Sequence, residues 1–273
     1  MRTLPLALLL LLPTLLAGCW PYIGDEWIDA ADRDAGAMGL LSYTKYQGTY
    51  WDGETADTLS MQWGLIEPFD FRFYDLYSTD WDKCETDYDG GRGYKFDEIN
   101  ADMSVLSVGG DNFEVPYDAQ GVFAGDLPLP AWQPGEEYTM TVSDSDFDEF
   151  VIYDVVRAPG EFALATPDLD SDLGTIGAGD LTFRWTGDEG EAFVLDLIMV
   201  DGQSGDTIQT VSCLAENDGE FKVPQDAFTR WESDAVLYML VSLMSHGEGI
   251  VQPNGGRSAV AGIFSLYGAA LTD

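Results

Sequence analysis

The stretch Leu181-Thr182-Phe183-Arg184-Trp185 decides how this sequence is interpreted. Its residues alternate between apolar and polar, which is the period of a β-strand that buries one face. The Leu, Phe and Trp side chains would lie together on the buried face. The same pattern recurs at Leu59-Ser60-Met61-Gln62-Trp63. The sequence therefore predicts two equivalent strands, one in each half of the chain.

Two further blocks repeat in the same order, which indicates an internal duplication. Residues 113–119 match residues 221–227, and Trp132, Tyr138 and Val142 match Trp231, Tyr238 and Val241. From Trp63 to Phe113 is 50 residues, whereas from Trp185 to Phe221 is 36, so the first half carries about 14 extra residues. We assign them to a loop insertion at 84–99, which is rich in Gly and Asp.

The remaining apolar runs predict an all-β fold of two tandem antiparallel β-sandwich domains, residues 46–158 and 159–273. Turn residues at Ala158-Pro159-Gly160 separate the halves. Residues 193–200 form a run suited to a strand buried on both sides. Residues 235–244 fit a strand or a helix, and we interpret them as a strand because the matching segment 138–142 alternates cleanly.

The overall charge narrows the range of functions. The 273 residues include 12 Lys and Arg against 49 Asp and Glu, a formal net charge of −37, and a single His. This charge excludes affinity for nucleic acid through phosphate neutralisation. Two interpretations of the acidic surface remain open: adaptation to a salty or cation-rich exterior, and the collection of divalent cations.

The N-terminus resembles a bacterial lipoprotein signal. Arg2 precedes an apolar run at 4–16, and Leu16-Ala17-Gly18-Cys19 then matches a lipobox. The resemblance implies that residues 1–18 are removed and that Cys19 is lipidated. Two or three acyl chains on Cys19 would hold the protein on a membrane. Residues 19–45 are then a flexible acidic tether, and Trp20 favours the outer membrane over the inner membrane. The alternative is an ordinary secretory signal that ends near a chance Cys.

The second half resembles immunoglobulin-like and fibronectin-type-III-like domains of exported bacterial proteins. The resemblance rests on Phe183-Arg184-Trp185-Thr186 and on the segment from Cys213 to Pro224. It implies a sandwich with a Trp in its core, and it implies no particular activity.

Cysteine and histidine are the first candidates for chemistry. Cys84 and Cys213 could form a disulfide in an oxidising compartment, or remain one loop thiol and one buried thiol. His246 follows a predicted strand, and no Gly-x-Ser-x-Gly elbow supports a hydrolytic triad around it. We therefore predict no catalytic residues.

Three acidic segments have spacings that could suit Ca²⁺, which prefers six to eight oxygen ligands. The preferred candidate is Asp168, Asp170 and Asp172, at the entry to the second half. The others lie at 87–98 and 144–149. Solvated acidic loops are the alternative for all three.

Together these observations predict a lipid-anchored protein of the cell envelope with a non-catalytic structural, adhesive or binding role. Its partners would be the membrane and an envelope protein or a glycan, with no nucleic acid. The alternatives are a secreted, carboxylate-dependent hydrolase that acts on glycans, and a Ca²⁺-dependent binding module.

Overall fold

The structure is a computed structural model that describes residues 23–24, 36–47, 57–67, 81–86, 96–99, 102–116, 123–143, 150–169, 174–177, 179, 181–187, 190–247, 249–252 and 258–273. These residues form strands and two single turns of 3-10 helix, Leu129–Ala131 and Gln225–Ala227. The predicted all-β class is confirmed.

In chain order the strands are β1 (Ile23–Gly24), β2 (Gly36–Tyr46), β3 (Thr58–Glu67), β4 (Lys83–Thr86), β5 (Phe96–Ile99), β6 (Met103–Val108), β7 (Asp111–Val115), β8 (Phe123–Asp126), β9 (Thr139–Ser143), β10 (Phe150–Tyr153), β11 (Ala163–Thr166), β12 (Thr175–Ile176), β13 (Thr182–Thr186), β14 (Ala192–Val200), β15 (Thr207–Glu216), β16 (Glu220–Lys222), β17 (Val236–His246), β18 (Ile250–Gln252) and β19 (Ser258–Thr272).

The second half of the chain places its strands in two layers. One layer has the order β11-β13-β16, and the other has the order β19-β17-β14-β15. Trp185 on β13 stacks on Phe193 of β14 with ring centroids 3.9 Å apart, so the predicted core Trp joins the layers. Along β14 both faces are largely buried, as the uninterrupted apolar run predicts.

The first half repeats this arrangement strand for strand. Strands β2-β3-β8 form one layer and β10-β9-β6-β7 form the other. Both layers contribute to one hydrophobic cluster, which includes Trp63 and Phe123, stacked at 4.9 Å, together with Leu106 and Met140. The pattern ending in Trp63 and the pattern ending in Trp185 thus occupy equivalent strands, β3 and β13.

The second pair of repeated blocks does not occupy equivalent strands. Residues 221–222 lie in β16, which pairs with β13, whereas residues 113–115 lie in β7, which pairs with β6. The strand equivalent to β16 is β8, whose sequence Phe-Ala-Gly-Asp does not show the pattern. In the second half β16 ends at Lys222, just before Pro224, and a 3-10 turn follows.

The two halves are not separated by a linker, and here the structure differs from the predicted tandem arrangement. Strand β2 pairs in parallel with β19, so a layer of each half joins one continuous sheet. The main hydrophobic cluster also contains residues of both halves. Residues 36–45 form most of β2 and lie inside this sheet, although their acidic surroundings assigned them to the tether. They can pair within the sheet because most of their side chains are apolar or small.

The segment predicted as an insertion supplies two strands at opposite ends of the sheet. Strand β5 pairs with β3 of its own half, whereas β4 pairs with β15 of the other half. The first half therefore adds one strand, β4, beside β15 at the edge of the second half. Residues 87–95 of the segment lie outside the described residues.

Tyr138 stabilises the turn that leads into β9 through hydrogen bonds of its hydroxyl group. Its ring is fully buried, its hydroxyl donates to the Ala131 carbonyl at 2.9 Å, and it accepts the Gln133 N–H at 2.7 Å. Burial raises the pKa of Tyr138 to about 12, so the hydroxyl stays protonated and can donate. This geometry is the tyrosine corner found in sandwich domains.

We expect Tyr138→Phe to lower the free energy of unfolding by about 1–3 kcal/mol, because it leaves the buried Ala131 carbonyl and the part-buried Gln133 N–H without their partner. Urea denaturation measures the change. Tyr153→Phe is the control, since the Tyr153 side chain is 59% exposed and its loss of a hydroxyl should change stability by about 0.5 kcal/mol or less. Equal stability of the two variants would contradict a structural role for the corner.

Candidate functional site

A group of polar and aromatic side chains lies where the two halves meet. We call Tyr43, Lys45, Asp57, Glu161 and Phe264 the junction cluster. Lys45 donates from Nζ to Glu161 Oε2 at 2.5 Å. Its ammonium group also lies 5.6 Å from the Tyr43 ring centre and 5.4 Å from the Phe264 ring centre. One cation therefore links β2 to the segment before β11 and to β19.

Tyr43 completes the cluster with a second polar contact. Its hydroxyl donates to Asp57 Oδ2 at 3.1 Å. Burial first, and the negative charge of Asp57 second, together raise the pKa of Tyr43 to about 12. The hydroxyl is therefore protonated at neutral pH and cannot act as a base. The cluster joins elements and has the chemistry of a structural site.

Aromatic rings continue from the junction cluster through the shared core. Phe264 packs edge-to-face on Phe162 at 5.5 Å, and Phe162 does the same on Phe193 at 4.8 Å. Tyr43 contacts Trp132 of the first half at 5.6 Å. The rings thus connect the core Trp of the second half with the first half.

Cys84 and Cys213 are joined by a disulfide in the structure. The two residues lie directly opposite each other on β4 and β15, with Cα atoms 4.0 Å apart. The short separation is that of a non-hydrogen-bonded antiparallel pair, whose side chains approach most closely. The bond crosses between the halves because β4, although it belongs to the first half, lies on the edge of the second.

His246 lies beside a carboxylate at the end of its strand. Its Nδ1 is 2.6 Å from Glu191 Oε2, and the two residues stand at the ends of the paired strands β17 and β14. The neighbouring Ser245 donates to the carbonyl of Arg157 at 2.5 Å. These contacts fasten strand ends to each other and to the segment between the halves, so the geometry favours a structural role for His246.

The predicted Ca²⁺ ligands are only partly described. Asp168 is exposed and lies just after β11, whereas Asp170 and Asp172 lie outside the described residues. Among the residues that the structure describes, no three His, Cys, Asp or Glu side chains gather as metal ligands would. The Ca²⁺ site stays a prediction, and Cys19 also lies outside the described ranges.

Sequence reasoning missed Asp196, the one polar residue within the apolar run of β14. Burial raises the pKa of this carboxyl group to about 6, while a 2.7 Å hydrogen bond from Ser212 Oγ lowers it in part. Its cross-strand neighbours are Ser212 and Leu240. The signal was available, because an Asp at the centre of an otherwise apolar strand is unusual.

The Cys84–Cys213 bond should contribute about 2–5 kcal/mol of stability, since it closes a loop with a sequence separation of 129. We expect Cys84→Ala combined with Cys213→Ala to lower the free energy of unfolding by that amount in urea denaturation. Reductant should destabilise the wild-type protein and leave the double variant unchanged. A wild-type protein indifferent to reductant would contradict this.

Asp196 makes stability depend on pH in a defined direction. Its folded pKa of about 6 lies above its ordinary value of 3.8, so its ionisation opposes folding. Its contribution to stability therefore improves as pH falls from above 6 towards 4. We expect Asp196→Asn to gain about 2–3 kcal/mol over the wild type at pH 8, and the gain to disappear near pH 4.

Asp201→Asn provides a control of opposite sign. The N–H groups of Ser204 and Gln203 lower the pKa of Asp201, so its charged form favours the fold and its contribution is lost as pH falls. Urea denaturation between pH 4 and pH 8 measures Asp196→Asn, and the Asp201→Asn series is continued below pH 3.8, because a lowered pKa titrates beneath its ordinary value of 3.8. A stability difference between Asp196→Asn and wild type that is independent of pH would contradict the assignment.

Comparisons with known proteins give no family for this chain. No family model and no curated protein matches it. A Ca²⁺-stabilised adhesin with which an Antarctic bacterium binds ice matches 87% of this chain at 12% identity and a TM-score of 0.21. A 1.5-MDa bacterial ice-binding adhesin matches 88% at 7% identity and a TM-score of 0.19.

The chain covers 49% of the first structure and 66% of the second. At these TM-scores the likeness supports no conclusion about function. In the described ranges, no helix has the length and apolar character to cross a bilayer.

Proposed function

We propose that this protein is a lipid-anchored, non-catalytic component of the bacterial cell envelope that holds or binds a partner outside the cytoplasm. The observation that carries the proposal is the run Leu16-Ala17-Gly18-Cys19 after an apolar segment, followed by a chain whose described part is built mainly from strands. A lipidated Cys19 would place this rigid body at a membrane surface, with the outer membrane preferred.

The strand orders support an immunoglobulin-like or fibronectin-type-III-like architecture for each half. Both halves place three strands against four in the same chain order, and the first half carries the tyrosine corner. Domains of this architecture serve as spacers, adhesive modules and binding modules. We infer that the two units act together, since they share a sheet and a core.

The contacts of the chemically distinctive residues support a non-catalytic role. Lys45 is paired with Glu161, His246 with Glu191, and Cys84 with Cys213, and each pair joins two separate elements. In each case the reactive group is used to hold the structure together. The proposed partner is an envelope protein or a glycan.

The lipid anchor is tested by metabolic labelling with a radioactive or clickable fatty acid. We expect the wild-type protein to incorporate the label and to remain in the membrane fraction, and Cys19→Ser to do neither, because the thiol is the acceptor. Cys84→Ala is the matched control and should label normally. An unlabelled wild-type protein would overturn the anchor.

The non-catalytic role is tested by a binding screen of the folded Cys19→Ser chain against glycans and envelope proteins, run alongside hydrolysis assays on the same glycans. We expect retention of a partner without turnover. Release of products from any glycan, lost on replacement of carboxylate residues, would favour the hydrolase instead.

A further inference from the structure

Strands β2 and β19 lie next to each other in the large sheet and run parallel. Ten consecutive residue pairs connect them, from Ser258↔Ala37 to Tyr267↔Tyr46. The chain enters β2 at Gly36 and leaves β19 after Thr272, so its N-terminal and C-terminal sides are attached to opposite ends of this strand pair. A pull on the two sides of the chain therefore moves the strands past each other along their common axis.

We propose that this parallel pair is a mechanical clamp, and that the protein carries tension between its N-terminal attachment and its C-terminal end. The direction of loading is the physical basis. When parallel strands slide in opposite directions, all of the hydrogen bonds between them resist together. Strands pulled apart at one end break these bonds one after another, and each bond has a net value of only about 1 kcal/mol.

Both strands of the clamp are interior strands, which prevents them from peeling away at an edge. Strand β2 is also paired with β3 through nine residue pairs, from Gly36↔Ile66 to Thr44↔Thr58. Strand β19 is also paired with β17 through eleven. Each strand must therefore shear past neighbours on both sides before the chain can extend.

Aromatic pairs fix the register of the clamp on both faces of the sheet. Phe264 lies opposite Tyr43 with ring centroids 5.4 Å apart, and Tyr267 lies opposite Tyr46 at 5.6 Å. Tyr43 and Tyr46 are three residues apart and so point to opposite faces. A slide of two residues, about 6.6 Å, would separate both pairs at once.

The junction cluster adds resistance at the same place. Lys45 lies on β2, contacts the Phe264 ring on β19, and pairs with Glu161 ahead of β11. A sliding β2 would have to break this ion pair and move Lys45 away from the Phe264 ring. The proposal that the protein carries tension in the cell depends on the proposed lipid anchor. The resistance of the β2–β19 pair to shear does not depend on that anchor.

Single-molecule force spectroscopy on the oxidised full chain with Cys19→Ser tests the clamp. In one geometry the handles are at the two termini, which shears the pair. In the other, Ser258→Cys provides the second handle at the start of β19, so the strands separate from one end. We expect the rupture force to be at least about twofold higher in the first geometry, because bonds loaded together resist more than bonds broken singly.

Tyr46→Ala tests the contribution of an aromatic pair and should lower the rupture force between the termini. Phe113→Ala is the matched control, since Phe113 is also half-buried and lies on β7, which pairs with β6 and with neither strand of the clamp. It should leave that force unchanged. If Tyr46→Ala does not fold, the comparison of the two pulling geometries still decides the question.

Equal rupture forces in the two geometries would overturn the clamp, as would a terminal pull that detaches β2 at the lower force. These outcomes are independent of the anchor. Failure of fatty-acid labelling would remove the anchor and leave the difference in force, whereas equal forces would remove the clamp and leave the labelling intact.

Discussion

The parallel pairing of β2 with β19 is the constraint on which the rest of the structure depends. It joins a strand from the start of the described chain to the last strand, so one sheet runs through both halves. Without it β2 and β19 would each have an unpaired edge, and exposed edges promote association with other chains. With it, the two strands protect each other, and the aromatic core is continuous from Trp132 to Trp185.

Two further strand pairings, β4 with β15 and β18 with β10, also join the two halves. Strand β4 crosses from the first half to the edge of β15 and is held there by the Cys84–Cys213 bond. Strand β18, from the second half, pairs with β10 of the first. Each half therefore contributes a strand to a sheet of the other, and neither can unfold without disturbing its neighbour.

The sequence predicts local structure well and long-range pairing poorly, for a physical reason. Alternation in residues 59–63 and 181–185 identifies equivalent strands, because period-two burial is a local property. Strand β2 was missed, since its many small residues resemble a spacer until the partner β19 is known. Likewise the pattern of residues 113–119 indicates a strand followed by a turn, but not which strand it pairs with. The possible bond between Cys84 and Cys213 could be suggested, whereas its position opposite across two strands depends on topology alone.

The acidic composition explains why such redundant connections are useful. A formal charge of −37 in 273 residues favours expansion through self-repulsion, which salt weakens. The few cations cannot neutralise this surface, and Lys45 and Arg184 each pair with a single carboxylate, Glu161 and Glu220. Stability must come instead from apolar burial, from sheet continuity and from a covalent bond, none of which is screened by ions. A fold held in this way can keep a highly charged, hydrated surface and still resist separation of its two ends.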